Sequence, residues 1–298
     1  MGYRGELGEH YGNIVNEKVP EAVSIHQRAL RLDPARFAMV FGPGTNRDEI
    51  AACLQDAASF LAEARYALAE AHAQWLWHTE VAEPADPISA RFWSQFYLDD
   101  AILRMYSTAE TVAAFAELHL DVRSMKQRLP KKAREGIRGQ SRVIRLSKLL
   151  DKVGSVGDLQ ANIAAIATDA SWLFVTDYRD RWVHEQRPRL EGLGLSYQRR
   201  KRWQQDQQDS KGNTWVLGIG GGDPPDLTAE KFFEKTDVAY RLLRGLVEQC
   251  CRELENELSK REPRFPHRVE AVLDDESDPP RTKGKRIVPQ EIDSSVRD

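Results

Sequence analysis

Apolar and small residues recur along the chain at alternating three- and four-residue spacings. The first long run is Ile50, Leu54, Ala57, Leu61, Ala64, Leu68, Ala71 and Trp75. That periodicity places them on one stripe of a helix packed in a bundle. Asn46 followed by Glu49 reads as a capping box at its start, and the run closes near Val81, before Pro84. A second helix is predicted from Asp86-Pro87, with proline at the first helical position. It carries Phe92, Phe96 and Leu103 on one stripe, and Ile102, Tyr106, Ala109, Ala113, Ala116 and Leu120 on another. Two stripes imply two packing partners, and the short connection implies an antiparallel helical hairpin.

The pattern continues with a helix from about Gln140 to Val153 and a break at Gly154–Gly157. Another helix follows from Asp158 to Gln186, striped by Leu159, Ile163, Ile166, Ala170 and Leu173. Pro188 stops it, since proline cannot extend the hydrogen-bond ladder. Between Leu195 and Ile219, β-prone runs flank a turn containing Lys211-Gly212-Asn213, and a β-hairpin is predicted there. A last long helix spans Thr228 to Lys260, with Phe232, Thr236, Ala239, Leu243, Leu246, Cys250, Leu254 and Leu258 on one face. The expectation is an all-α fold: an up-down bundle of four to five long helices with one inserted hairpin, occupying 46–260.

Outside that domain the readings are weaker in pattern. Residues 1–45 read as an N-terminal extension. Its first 20 residues are Gly-rich and polar, Glu21–Leu32 reads as a short helix, and Arg36–Phe41 has strand-like content before Gly42-Pro43-Gly44. Residues 261–298 are Pro-rich and charged, a composition that predicts a disordered tail.

Composition narrows the class. In 298 residues no stretch approaches the ~20 apolar residues of a membrane span, and the start has no apolar signal core. The protein therefore reads as cytoplasmic, with no membrane partner. Three cysteines, Cys53, Cys250 and Cys251, show neither zinc spacing nor a redox motif and read as small core residues. The net charge of −3 is uninformative, but its distribution is not. From Arg123 to Lys148 ten basic residues face one acid, Glu135, and Arg199, Arg200, Lys201 and Arg202 form a second run. Exposed helices ordinarily alternate signs, so Arg138, Arg142, Arg145, Arg199, Arg200 and Arg202 are the candidate contacts for a nucleic-acid backbone. Trp203 and Trp215 flank the predicted turn, where they could stack bases or pin the hairpin.

Three other groups carry less. Gly218-Ile-Gly-Gly-Gly222 lacks the third glycine of a dinucleotide loop and the Lys-Ser/Thr of a phosphate loop. Asp99-Asp100 has no further acids or histidines nearby for a metal and reads as a solvated or ion-paired turn. His72 and His78, six apart, share no helix face and read as structural.

Candidate chemistry sits at the end of the fourth predicted long helix, in Tyr178-Arg-Asp-Arg-Trp-Val-His184. Arginine offers a planar fork for phosphate oxygens, and histidine exchanges a proton near neutral pH. Such a pair is sufficient equipment to cut RNA without a metal. Spacing is not selective: Arg4/His10, Arg65/His72 and Arg261/His267 satisfy it as well. On an ideal helix Arg179 and His184 lie about 140° apart, so a second subunit or the arginine's reach must close the site. A dipole-stabilised histidine and an ion-paired arginine are the structural alternative.

The segment Arg179-Asp180-x3-His184, at the end of the penultimate long helix of a bundle, resembles the motif of the HEPN superfamily (higher eukaryotes and prokaryotes nucleotide-binding). That motif is arginine, a polar residue, then a few residues and histidine. The resemblance implies a metal-independent, cofactor-free endoribonuclease of toxin–antitoxin or anti-phage systems. It also implies a homodimer with RNA as substrate and an antitoxin or defence-system partner. Arg179 and His184 would be catalytic, with Asp180 orienting one of them. Other members of the family only bind, so a non-catalytic RNA- or nucleotide-binding or scaffold module is the alternative.

Overall fold

The computed structural model describes residues 6–42, 45–77, 79, 87–135, 137, 141–154, 157–184, 207–208, 214–215, 228–261, 267–274 and 281–289. The helical segments are α1 (Glu6–Leu30), α2 (Pro34–Phe41), α3 (Arg47–Leu76), α4 (Pro87–His119), α5 (Val122–Arg128), α6 (Lys131–Glu135), α7 (Arg142–Val153), α8 (Asp158–Thr168), α9 (Ala170–His184) and α10 (Ala229–Arg261). Two antiparallel strand pairs follow α9 and α10: β1 (Gln207–Gln208) with β2 (Thr214–Trp215), and β3 (His267–Asp274) with β4 (Arg281–Pro289).

The all-α expectation holds for the bundle, and its centre is the hairpin of α3 and α4. The stripe Ile50, Leu54, Ala57, Leu61, Ala64 and Leu68 is buried. So are Ile102, Ala109, Ala113 and Ala116 of α4. α10 lies against α3, α4, α8 and α9, with Phe232, Ala239, Leu243, Leu246, Cys250 and Leu254 inside. All of these join one hydrophobic core that includes Trp172 and Tyr178 of α9.

Several elements depart from the sequence expectation. The bundle has eight helices of at least eight residues among the described residues, not four or five. α1 runs back to Glu6, and Ala22, Ile25 and Ala29, in the part read as a short helix, are buried. Arg36–Phe41 is helix, not strand. The Asp33 carboxylate accepts the Ala35 N–H at 2.9 Å and Pro34 pre-sets the first turn, while Phe37 is buried. At α3 the capping box does not form, because Asn46 adopts φ 57° and its side chain makes no cap bond. The helix expected over 158–186 is two helices, broken at Asp169 (φ −70°, ψ 133°). Its carboxylate accepts the N–H groups of Ser171 (2.7 Å) and Trp172 (3.2 Å), so Asp169 starts α9 as it ends α8.

The tail is not structureless: β3 and β4 pair over eight positions from His267↔Pro289 to Asp274↔Arg281, with an irregularity at Val272/Leu273. The average composition of 261–298 conceals two β-prone runs holding Val269, Val272, Ile287 and Val288. Of the hairpin expected over 195–219, the described part is only the two-residue ladder Gln207↔Trp215 and Gln208↔Thr214. The remainder of that segment, including Trp203 and the glycines at 218–222, lies outside the described residues.

Candidate functional site around Arg179

The restart at Asp169 turns Trp172, Val175 and Tyr178 inward. Trp172 stacks on Tyr106 of α4, ring centroids 6.4 Å apart. Tyr178 is almost fully buried, and its ring meets Phe232 of α10 at 5.1 Å. Its hydroxyl accepts the Gln95 Nε2–H at 2.8 Å and donates to Asp99 Oδ1 at 2.8 Å. Burial pushes the phenol far above its usual range, so it keeps its proton as a donor. Asp99 is therefore a buried helix residue holding α9 to α4, and Asp100 pairs with Arg104 at 3.2 Å. Of the solvated or ion-paired turn expected of Asp99-Asp100, the ion pair is present at Asp100, but both residues lie within helix α4.

One residue beyond this anchor, Arg179 turns back onto the bundle. Its guanidinium carbon lies 4.4 Å from the Tyr106 ring centroid, and Nη1 donates to Asp180 Oδ1 at 2.8 Å. Asp180 thus contacts the arginine. Nε of Arg179 is buried and donates no hydrogen bond among the described residues. The Tyr106 hydroxyl proton is held above its usual range by burial and by Glu110 and Asp180, against the opposing fields of Arg179 and Arg145. Tyr106, Glu110, Arg145, Arg179 and Asp180 are thus one electrostatic neighbourhood built from α4, α7 and α9. The helical pattern marks Tyr106 only as a stripe position and does not single out Glu110. Their spacing, an i, i+4 pair on one face, is the single sequence signal that could have drawn them in.

His184 is exposed, in the last turn of α9. It stands about 7.5 Å along the axis from Arg179 and on another face. Among the described residues no hydrogen bond joins it to Arg179 or Asp180. The expected pair shares a helix end without closing on itself in one chain.

The basic residues divide. Arg142 is committed to the bundle: Nη2 bonds Glu117 at 2.6 Å, and its backbone N–H bonds Glu110 at 2.6 Å. The Glu117 bond strengthens its hold on its proton. Arg145 is exposed beside the Tyr106 neighbourhood. Arg123, Lys126, Arg128, Lys131, Lys132 and Arg134 are exposed along α5 and α6. Arg138, Arg199, Arg200 and Arg202 lie outside the described residues, as does His78.

Among the described residues no group of three or more His, Cys, Asp or Glu could hold a metal, and no helix is long and apolar enough to cross a membrane. Cys250 and Cys251 are buried free thiols, with burial pushing Cys251 up to about 12. No family model, no curated protein and no solved structure matches this chain.

Proposed function

We propose that this chain is a metal-independent endoribonuclease of HEPN type, acting as a homodimer in a toxin–antitoxin or anti-phage setting. The observation that supports it is the placement of Arg179, held by Asp180 and the Tyr106 face, on the same helix end as an exposed His184. In this reading an imidazole takes the ribose 2′-OH proton as the 2′-oxygen bonds to phosphorus. The P–O5′ bond breaks, and a second imidazole, from the other copy, protonates the leaving oxygen. Arg179 stabilises the charge that accumulates on the phosphorane. The products are a 2′,3′-cyclic phosphate and a 5′-hydroxyl. Because Arg179 and His184 occupy different faces of α9, two copies are needed to surround one phosphate.

Single-stranded RNA incubated with the purified chain in excess chelator should yield cyclic-phosphate ends. Arg179→Ala and His184→Ala should each slow cleavage by about 100-fold or more. Equal cleavage by both variants defeats the reading.

A second reading, a non-catalytic RNA-binding module, is favoured by the exposed cations of α5 and α6. It requires salt-sensitive RNA affinity without turnover, weakened by Lys132→Glu with Arg134→Glu. Affinity unchanged by that double reversal and by salt removes it.

A further inference from the structure

The interhelical cations of this bundle are mostly matched one to one by carboxylates. Arg28 pairs with Glu255, Arg142 with Glu117, and Arg47 with Glu257. Glu257 serves His119 as well as Arg47, and a further junction gathers more cations still. Where α1, α3 and α10 meet, Lys18, Arg65 and His72 gather near one carboxylate, Asp237, which bonds Arg65 and acts on Lys18 and His72 only through its field. Lys18 Nζ is 3.4 Å from His72 Nδ1, and Arg65 Nη1 is 2.7 Å from Asp237 Oδ1. The His72 ring rests on Phe233 at 5.1 Å, and the Arg65 guanidinium lies 4.7 Å from the Tyr240 ring centroid. Asp237 is already shared, since Arg241 reaches its other oxygen at 3.1 Å.

The junction also holds surplus donors. Arg65 Nε and the Tyr240 hydroxyl are both buried, and neither has a hydrogen-bond partner among the described residues. Tyr240 is fully enclosed. Two adjacent orphaned donors are costly in a native interior, and each calls for a missing acceptor. Lys18 and Arg65 repel one another, and among the described residues the carboxylate bonded at this junction, Asp237, is itself divided between Arg65 and Arg241. Excess donors and excess positive charge in one place are the signature of an anion site.

We propose that the Lys18–Arg65–His72 junction binds a phosphoryl group, at a place distinct from Arg179. Lys18 and His72 form the solvent side and supply N–H donors. Arg65 and Tyr240 form the floor. Asp237 is the exchangeable element: on arrival of the ligand its carboxylate leaves Arg65 for Arg241, and the freed guanidinium edge takes phosphate oxygens in the planar two-point geometry arginine favours. The chemistry fits a phosphate monoester of a nucleotide or the phosphodiester of an RNA backbone. It stands whether or not Arg179 and His184 cleave RNA.

The test titrates the full chain with inorganic phosphate, adenosine 5′-monophosphate and a short RNA lacking terminal phosphates, following the histidine ring resonances by NMR. Saturable shifts of His72, with His119 of α4 unmoved as internal control, are expected. Lys18→Met keeps the aliphatic stem and should weaken binding about tenfold or more, as should His72→Gln, for which the reporting ring is gone and binding is read by calorimetry. Arg142→Gln, which touches a different junction, should change nothing. Binding of the monophosphates alone assigns a nucleotide phosphate; competition by the RNA assigns the backbone. If none of the three probes moves His72, or if binding survives both Lys18→Met and His72→Gln, the proposal is overturned.

Discussion

Tyr178→Phe is the sharpest probe of how the motif helix is held. The change removes one oxygen and leaves the ring packed on Phe232 and Phe174. Two bonds of 2.8 Å disappear with it, one from Gln95 and one to the Asp99 carboxylate. A neutral hydrogen bond contributes about 1 kcal/mol and one to a carboxylate about 1.5–3 kcal/mol. Since Gln95 and Asp99 are both buried, water cannot readily replace the lost partner. The expected loss is about 2–4 kcal/mol. Urea unfolding should show this as a lower midpoint with an unchanged slope, because the surface exposed on unfolding is the same. In a double-mutant cycle, Asp99→Asn should cost less in the Tyr178→Phe background than in the parent, since the bond it weakens is already gone. A loss below about 0.5 kcal/mol, or full additivity of the two changes, would refute the view that this triad anchors α9 to α4.

Three further outcomes are expected. Asp169→Ala removes the acceptor for two N–H groups at the start of α9 and should cost about 1 kcal/mol in the same assay, with Asp169→Asn retaining most of it. Gly154 ends α7 at φ 64° with open space around it, so Gly154→Ala should cost about 1 kcal/mol through backbone strain alone, and Gly154→Asn less. Burial holds the folded-state pKa of both His72 and His119 below 6.5. The unfolded chain therefore binds protons first as pH falls. Stability should be full above 6.5 and decline below it, by up to about 2.7 kcal/mol per pH unit while both imidazoles titrate only in the unfolded state. Urea midpoints measured from pH 7.5 to 5.5 in a phosphate-free buffer check the sign; a midpoint that rises as pH falls contradicts it.

What the sequence conveyed depended on how long each signal ran. α3 and α10 are legible because eight stripe positions repeat in phase and nearly all of them enter the core; of the two stripes read on α4, the core takes Ile102, Ala109, Ala113 and Ala116, while Phe92 and Phe96 of the other are exposed. Asp169 was invisible because Leu159–Leu173 keep a helical spacing across the break, which makes the local cap stronger evidence than the periodicity. α2 looked like a strand because six residues cannot separate a buried helix from a strand by pattern, and the deciding feature was Asp33-Pro34 in front of it. At the candidate site, Arg179 and Asp180 were found from the motif, while Tyr106 was not, since the contact joins residues 73 apart in the chain. The Arg65/His72 pair shows the opposite failure. Its spacing was set aside as one chance match among four, and nothing in α3 itself reveals that Lys18 and Asp237 come to meet it.

The joint at Asp169 has a consequence for how such a helix end can change over time. α8 is locked to the core by its own stripe, and α9 restarts from a single non-helical residue. Adding or removing one residue there would leave α8 in place and index α9 by about 100°. Arg179 would leave the face of Tyr106, and another side chain of the same helix would take its place. A one-residue joint of this kind works like the detent of a selector dial: the bundle is retained while the residue presented at the helix end is exchanged.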